Sequence, residues 1–193
     1  MVDSAFALQP DSLSSIIKDT ADAGFTMPSD QHVGSLLRVL AASRPSSRFL
    51  ELGTGTGLSA AWILDGMDRD SILDSVDNDE AVAEIAKRHL QHDSRFQQHI
   101  QDGAIFLAKA NPGQYDLVFA DAWPGKYSDL DLAIRLLRIG GLYVVDDMMP
   151  QPNWPEGHGN KAELLKTNLA SRPDLRIANL SWSTGLILAA KIA

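Results

Sequence analysis

A chain of 193 residues with 45% hydrophobic and 22% charged residues has the size and composition of one globular domain with a substantial core. Its formal charge of −8 repels nucleic acid and anionic membrane over most of the surface, so neither is expected as a partner. Without cysteine there are no disulfides, thiolate metal sites or thiol nucleophile, which fits a cytoplasmic protein, and Met1-Val2-Asp3-Ser4-Ala5 lacks the basic and apolar regions of a signal peptide.

Leu13, Ile16 and Ile17 at helical spacing predict a first helix over Ser12 to Asp22, broken by Gly24 and Pro28. Ser29-Asp30 supplies N-cap oxygens for a second helix whose Val33, Leu36, Leu37 and Leu40 share a face. Residues 1–45 thus read as a helical cap and 46–193 as the core of one domain spanning 1–193. The core opens on Phe49-Leu50-Glu51-Leu52-Gly53-Thr54-Gly55-Thr56-Gly57, an apolar run, an acid and three alternating glycines, followed by a helix around Ser59 to Leu64. That is a strand turning sharply into a helix. Glycine permits the backbone conformations such a turn needs and lets the backbone approach a ligand, so the loop reads as a nucleotide cradle. A dinucleotide fingerprint would need glycine where Leu58 stands, and the phosphate-cradling G-x-x-x-x-G-K-[ST] motif has no matching Lys.

The second strand, Ile72 to Val76, ends in Asp77-Asn78-Asp79 before a helix carrying Ala81, Val82, Ile85, Ala86 and Leu90. Asp77 lies about twenty residues past Gly57, where a strand–helix–strand unit places an acid able to accept both ribose hydroxyl protons. Asn78 and Asp79 are equally suited to capping the helix that follows. A third strand covers Phe96 to Gln101, and Asp102-Gly103-Ala104 starts another helix. Tyr115 to Asp121 is a continuous apolar fourth strand, as expected of one covered on both faces. A helix from about Ser128 through Leu132 and Leu136 reaches Ile139-Gly140-Gly141, a C-cap signal, before a fifth strand, Leu142 to Val145, and the pair Asp146-Asp147. A Pro-, Trp- and Gly-rich loop from Met148 to Gly159 precedes a helix with Ala162, Leu164, Leu165 and Leu169. Leu175 to Trp182 and Leu186 to Ile192, joined at Ser183-Thr184-Gly185, form a closing hairpin.

This alternation predicts an α/β fold, a doubly wound parallel sheet with an antiparallel edge, whose ligand lies at the carboxyl ends of the strands where strand order reverses. Asp121, Asp146 and Asp147 end what should be adjacent strands, and such hard oxygen ligands suit Mg²⁺ or a similar divalent cation. Trp123 and Trp154 could wall a slot for an aromatic acceptor, and His158 could serve as a base or a metal ligand.

In its E-x-G-x-G-x-G stretch, Glu51 to Gly57, the chain resembles the S-adenosylmethionine-dependent methyltransferases. The resemblance implies a Rossmann-like sheet ordered 3-2-1-4-5-7-6 and a cofactor with no phosphates, whose amino-acid tail carries an ammonium and a sulfonium. It implies cofactor contacts from Glu51, Gly53, Thr54, Gly55, Gly57 and Ser59 of the loop, from Asp77 and Asn78, from Asp102-Gly103 at the adenine, and from Asp121. The [ND]-P-P-[YFW] signature of enzymes methylating exocyclic base nitrogens of DNA is absent after the fourth strand, where Asp121-Ala122-Trp123-Pro124 stands.

The stretches around Asp121 and Asp146-Asp147 resemble instead the divalent-cation-dependent O-methyltransferases of the catechol and caffeoyl-coenzyme A kind. That implies methylation of a small hydroxylated aromatic molecule, a metal on Asp121, Asp146 and Asp147, Lys126 as the available base, and a homodimer. Two departures stand out. The pair is Asp-Asp where that family has Asp-Asn, which tightens a metal or marks a site used without one. Lys126 falls five residues past Asp121 rather than three, with Pro124 between. The alternative from another class is a non-catalytic protein that binds the same nucleoside.

Overall fold

The computed structural model describes residues 8–193, so the first seven residues of the expected cap, Met1-Val2-Asp3-Ser4-Ala5 among them, lie outside the described residues. Two helices come first, α1 (Leu13–Asp22) and α2 (Gln31–Ala42). The Asp30 side chain caps α2 by accepting from the His32 amide at 2.8 Å. Strands and helices then alternate as β1 (Arg48–Leu52), α3 (Leu58–Gly66), β2 (Ile72–Asp77), α4 (Glu80–Leu90), β3 (Phe96–Ile100), α5 (Gly103–Lys109), β4 (Tyr115–Ala120), α6 (Leu130–Leu136) and β5 (Leu137–Val145). The chain closes with α7 (His158–Ala170), β6 (Leu175–Leu180) and β7 (Leu186–Lys191).

The seven strands form one sheet in the order β3-β2-β1-β4-β5-β7-β6. The first five strands pair in parallel, and β7 runs antiparallel between β5 and β6. Parallel strands need crossover connections, and the helices that supply them cover both faces. On one face Phe49, Leu117 and Phe119 pack with Leu13, Ile16, Leu37 and Trp62 of the first three helices. On the other, Leu50, Leu52, Val118 and Val145 pack with Leu107, Ile134 and Leu165. Every residue of β4 is buried, Asp116 among them.

The expected helix end at Ile139-Gly140-Gly141 is not there. The helix stops at Leu136 and these residues belong to β5, which begins at Leu137. Gly140 adopts φ +81° within the strand, and the register against β4 shifts between Tyr115 and Leu117. The glycines serve a local irregularity in the sheet, a use that shares its sequence signature with a helix C-cap. In α7, Leu164 is 71% exposed, while Ala162, Leu165 and Leu169 form the packed face.

Asp74, the third residue of β2, is 2% exposed and holds three partners. Arg48 Nε donates at 2.7 Å, the Tyr115 hydroxyl at 2.9 Å, and His99 Nε2 lies 2.8 Å away. Burial pushes the Asp74 carboxyl up, but the bonds from His99, Arg48 and Tyr115 outweigh it and hold the group below its ordinary range. A depressed folded-state pKa stabilises above the unfolded value and is lost as pH falls through the folded one. Asp74→Ala should therefore cost on the order of 3 kcal/mol in urea unfolding at pH 7, with a smaller deficit near pH 3; an equal deficit at both would contradict an ionised Asp74.

Candidate active site

Strand order reverses between β1 and β4, and the glycine loop fills the crevice this opens. Gly53 has φ +100°, and a Cβ there would stand 2.8 Å from the Asp121 carbonyl oxygen, so the loop presses directly on the end of β4. A Cβ on Gly57 would lie 2.9 Å from that of Ala86 in α4. The Gly55 amide donates to Asp77 Oδ2 at 2.8 Å and the Asp79 amide to Asp77 Oδ1 at 2.9 Å, so both carboxylate oxygens are fixed by backbone. Asp79 caps α4 through the amides of Ala81 and Val82.

Behind the loop, Thr54 and Ser75 share a hydroxyl–hydroxyl bond of 2.6 Å, and Ser75 donates to Glu51 Oε2 at 2.5 Å. Glu51 is wholly buried. Its carboxyl is pushed up to about 7 by burial, with the Ser59 and Ser75 hydroxyls opposing and the Asp77 charge adding to the rise. Ser59 lies near enough to act on that carboxyl but short of hydrogen-bond geometry, since Glu51 Oε1 and Ser59 Oγ have no partner among the described residues.

A cavity of about 620 Å³ runs along this edge. Gly53, Thr54, Gly55, Asp77 and Asn78 line one end, and Asp121, Trp123, Lys126, Asp146, Asp147 and His158 line the other. Phe25 to Asp30, between α1 and α2, also face it. Four expected cofactor residues other than the loop's inner Gly57 stand outside that lining. Glu51 and Ser59 are buried behind the loop, while Asp102 is exposed and, with Gly103, opens α5, accepting from the Ala104 amide at 2.7 Å.

At the other end, Asp121 takes a 3.1 Å bond from the Ser29 hydroxyl, and Asp146 Oδ1 accepts from the Thr184 hydroxyl and, at 2.6 Å, from the Asp147 amide. Burial and the Asp146 charge drive the Asp121 carboxyl well above the carboxylate range, and Lys126 only partly offsets them. Burial likewise pushes Asp146 up to about 6. Among the described residues, no group of three or more His, Cys, Asp or Glu side chains is arranged to hold a metal ion.

His158, expected in a loop, is the first residue of α7 and sits in an aromatic cluster. It stacks on Trp154 at 4.3 Å between centroids and meets Tyr127 edge-on at 5.1 Å, with the Tyr127 hydroxyl 2.9 Å from Nε2. Burial, Lys126 and Lys161 lower the His158 pKa against the pull of Asp147, leaving the imidazole neutral at pH 7. Sequence reasoning passed over Tyr127, Ser29 and Ser75. For Tyr127 the available signal was an aromatic residue directly after Lys126 in the loop leaving β4.

A family profile described as "Methyltransferase domain" matches residues 50–148, just over half of the chain, and the chain belongs to that family. A Mycobacterium ulcerans (strain Agy99) protein named "Putative O-methyltransferase" is 35% identical over 118 residues, covering 58% of this chain and 53% of that protein. The chain thus spans about half the length of such curated relatives. Among solved structures, the O-methyltransferase TomG from Streptomyces achromogenes, in complex with SAM, superposes with a TM-score of 0.83 at 24% identity, over 98% of this chain and 94% of that one. An O-methyltransferase from Bacillus cereus in complex with SAH gives 0.84 at 18% identity over the same shares. These likenesses establish the fold.

The raised Glu51 pKa has a definite sign in stability. In the unfolded chain the group ionises from about 4.5, while the folded protein keeps its proton until about 7, so stability falls across that interval. Glu51→Gln should match the parent near pH 4 and exceed it at pH 8 by on the order of 3 kcal/mol in denaturant unfolding. A variant less stable than the parent at pH 8 would show that Glu51 is ionised and satisfied.

Proposed function

We propose that this chain is an S-adenosylmethionine-dependent O-methyltransferase acting on a small hydroxylated aromatic molecule. The observation that carries the reading is the Asp77 carboxylate, fixed by the Gly55 and Asp79 amides in the same cavity as Asp121, Lys126, Asp146 and His158. With both oxygens anchored, Asp77 is preorganised to accept the two ribose hydroxyls, and the glycine backbone leaves room for the amino-acid tail. Thr54 is held from behind by Ser75 and Glu51, so Glu51 serves the cofactor by positioning the loop.

Methyl transfer is an in-line displacement. The acceptor oxygen forms a bond to the methyl carbon, the carbon–sulfur bond breaks, and its electron pair stays on sulfur as a neutral thioether. The chain's task is to align oxygen, carbon and sulfur and to take the hydroxyl proton. Trp123 and Trp154 hold the ring of the acceptor, and the Tyr127 hydroxyl takes the acceptor's proton as it passes its own to Nε2 of neutral His158. Lys126 is the base that the family pattern would assign, displaced by two residues.

A divalent cation in this cavity would rest on Asp121, Asp146 and Asp147 and would lower the pKa of the bound hydroxyl. The donors suit such an ion in kind, being hard oxygens, but not in arrangement. One oxygen of Asp146 is engaged twice and one of Asp121 by Ser29, which leaves the other oxygen of each, and among the described residues no three-residue cluster is assembled while Lys126 lines the same cavity.

Calorimetry with S-adenosylmethionine and S-adenosylhomocysteine should give one-site binding, weakened about 10–100-fold by Asp77→Ala, the worth of charge-assisted hydrogen bonds. Mass spectrometry after incubation with a panel of catechols and other phenols should detect a single added methyl, and His158→Ala should lower kcat by about 10²–10⁴ with cofactor affinity intact. Binding without transfer to any acceptor would turn the reading toward a nucleoside-binding protein, and no binding would remove it.

A further inference from the structure

We propose that the Lys126 ammonium takes, in this chain, the place that the family resemblance gives to a divalent cation, compensating the acids Asp121, Asp146 and Asp147 and facing the acceptor oxygen. The inference rests on the methyl-transfer reading above, but its test reads cation binding. Lys126 is 4% exposed, a rare state for a lysine without a partner. Among the described residues no carboxylate oxygen lies within 4 Å of its nitrogen and no side-chain hydrogen bond is made by it. Its close neighbour is the Tyr127 ring, 5.0 Å from Nζ to the centroid. It lines the same cavity as all three acids, and its charge acts on Asp121 and Asp146.

The turn that carries Lys126 is closed from several sides. The Trp123 carbonyl accepts from the amides of Lys126 at 3.2 Å, Tyr127 at 2.9 Å and Ser128 at 3.1 Å. The Gly125 amide donates to the Ser128 carbonyl at 2.7 Å, and the buried Tyr143 hydroxyl donates to the Gly125 carbonyl. A lysine ordinarily snorkels to water, whereas the side chain of Lys126 is buried and lines this cavity and the neighbouring one bounded by Leu130, Lys161 and Leu165.

Both departures from the metal-dependent pattern then have one explanation. Asp147 in place of Asn adds a negative charge, and the displaced lysine brings a positive one to the same cavity. An ammonium in that cavity opposes a second cation electrostatically. It also favours the acceptor oxygen as an anion once its proton has left, ahead of the transfer.

Mn²⁺ titration followed by electron paramagnetic resonance, with and without saturating S-adenosylhomocysteine, tests this directly. The parent protein should bind no Mn²⁺ up to about 1 mM, Lys126→Met and Lys126→Gln should each bind about one per chain, and adding Asp146→Asn should abolish it. Stoichiometric Mn²⁺ on the parent, lost in Asp146→Asn, would overturn the proposal. So would lysine variants that bind no Mn²⁺ while keeping the parent's cooperative thermal unfolding. Failure to bind the nucleoside would strike the methyltransferase reading and leave the cation result legible.

Discussion

The structure turns on the contact between the glycine loop and the end of β4. With a Cβ at Gly53 only 2.8 Å from the Asp121 carbonyl, no larger residue fits there without parting β1 from β4. The close approach places the loop's amides beside Asp77 and the loop's end of the cavity beside Asp121, Asp146 and Asp147. Parallel pairing of β1 with both β2 and β4 keeps these strand ends level, so Asp77 and Asp121 emerge at one edge although 44 positions separate them in the chain. Distance in sequence is converted to proximity by the register of the sheet.

A second consequence is the division of labour among buried acids. Asp74 is satisfied by three partners and stays ionised, so it ties β2 to β1, β3 and β4. Glu51 has one partner and one orphan oxygen, and its proton is retained toward neutrality. Asp121 and Asp146 share one cavity, where burial and neighbouring acid charge raise both against the Ser29 and Thr184 hydroxyls, the Asp147 amide and the Lys126 charge. The same functional group thus serves as an ionised structural tie, a neutral prop and a member of a raised-pKa pair in the cavity, according to the donors and charges around it.

Much of the arrangement was legible in the sequence because the principal signals fall at strand ends. Apolar runs that stop at Asp77, Asp121 and Asp146 announce both the strands and the edge where their acids gather. Other features were not legible, for physical reasons. Whether Glu51 faces the ligand or the interior depends on the pleat of one strand, and it faces inward to Ser75. Asp102 is both a good helix cap and a good ligand, and in the structure it caps α5. Gly140 and Gly141 mark irregular backbone without saying whether it ends a helix or bends a strand. Tyr127 gains its importance only when α7 brings His158 within 2.9 Å of it, a tertiary event with no local signature.

The central claim is that one cavity holds an adenosyl sulfonium between the glycine loop and the acids. The most direct measurement is a crystal structure of the protein with S-adenosylhomocysteine. The account predicts ribose hydroxyls on Asp77, the tail against the Gly53–Gly55 backbone, and the sulfur directed at the space between Asp121 and Lys126. A nucleoside bound elsewhere, or one whose sulfur points away from Asp121 and Lys126, would contradict it.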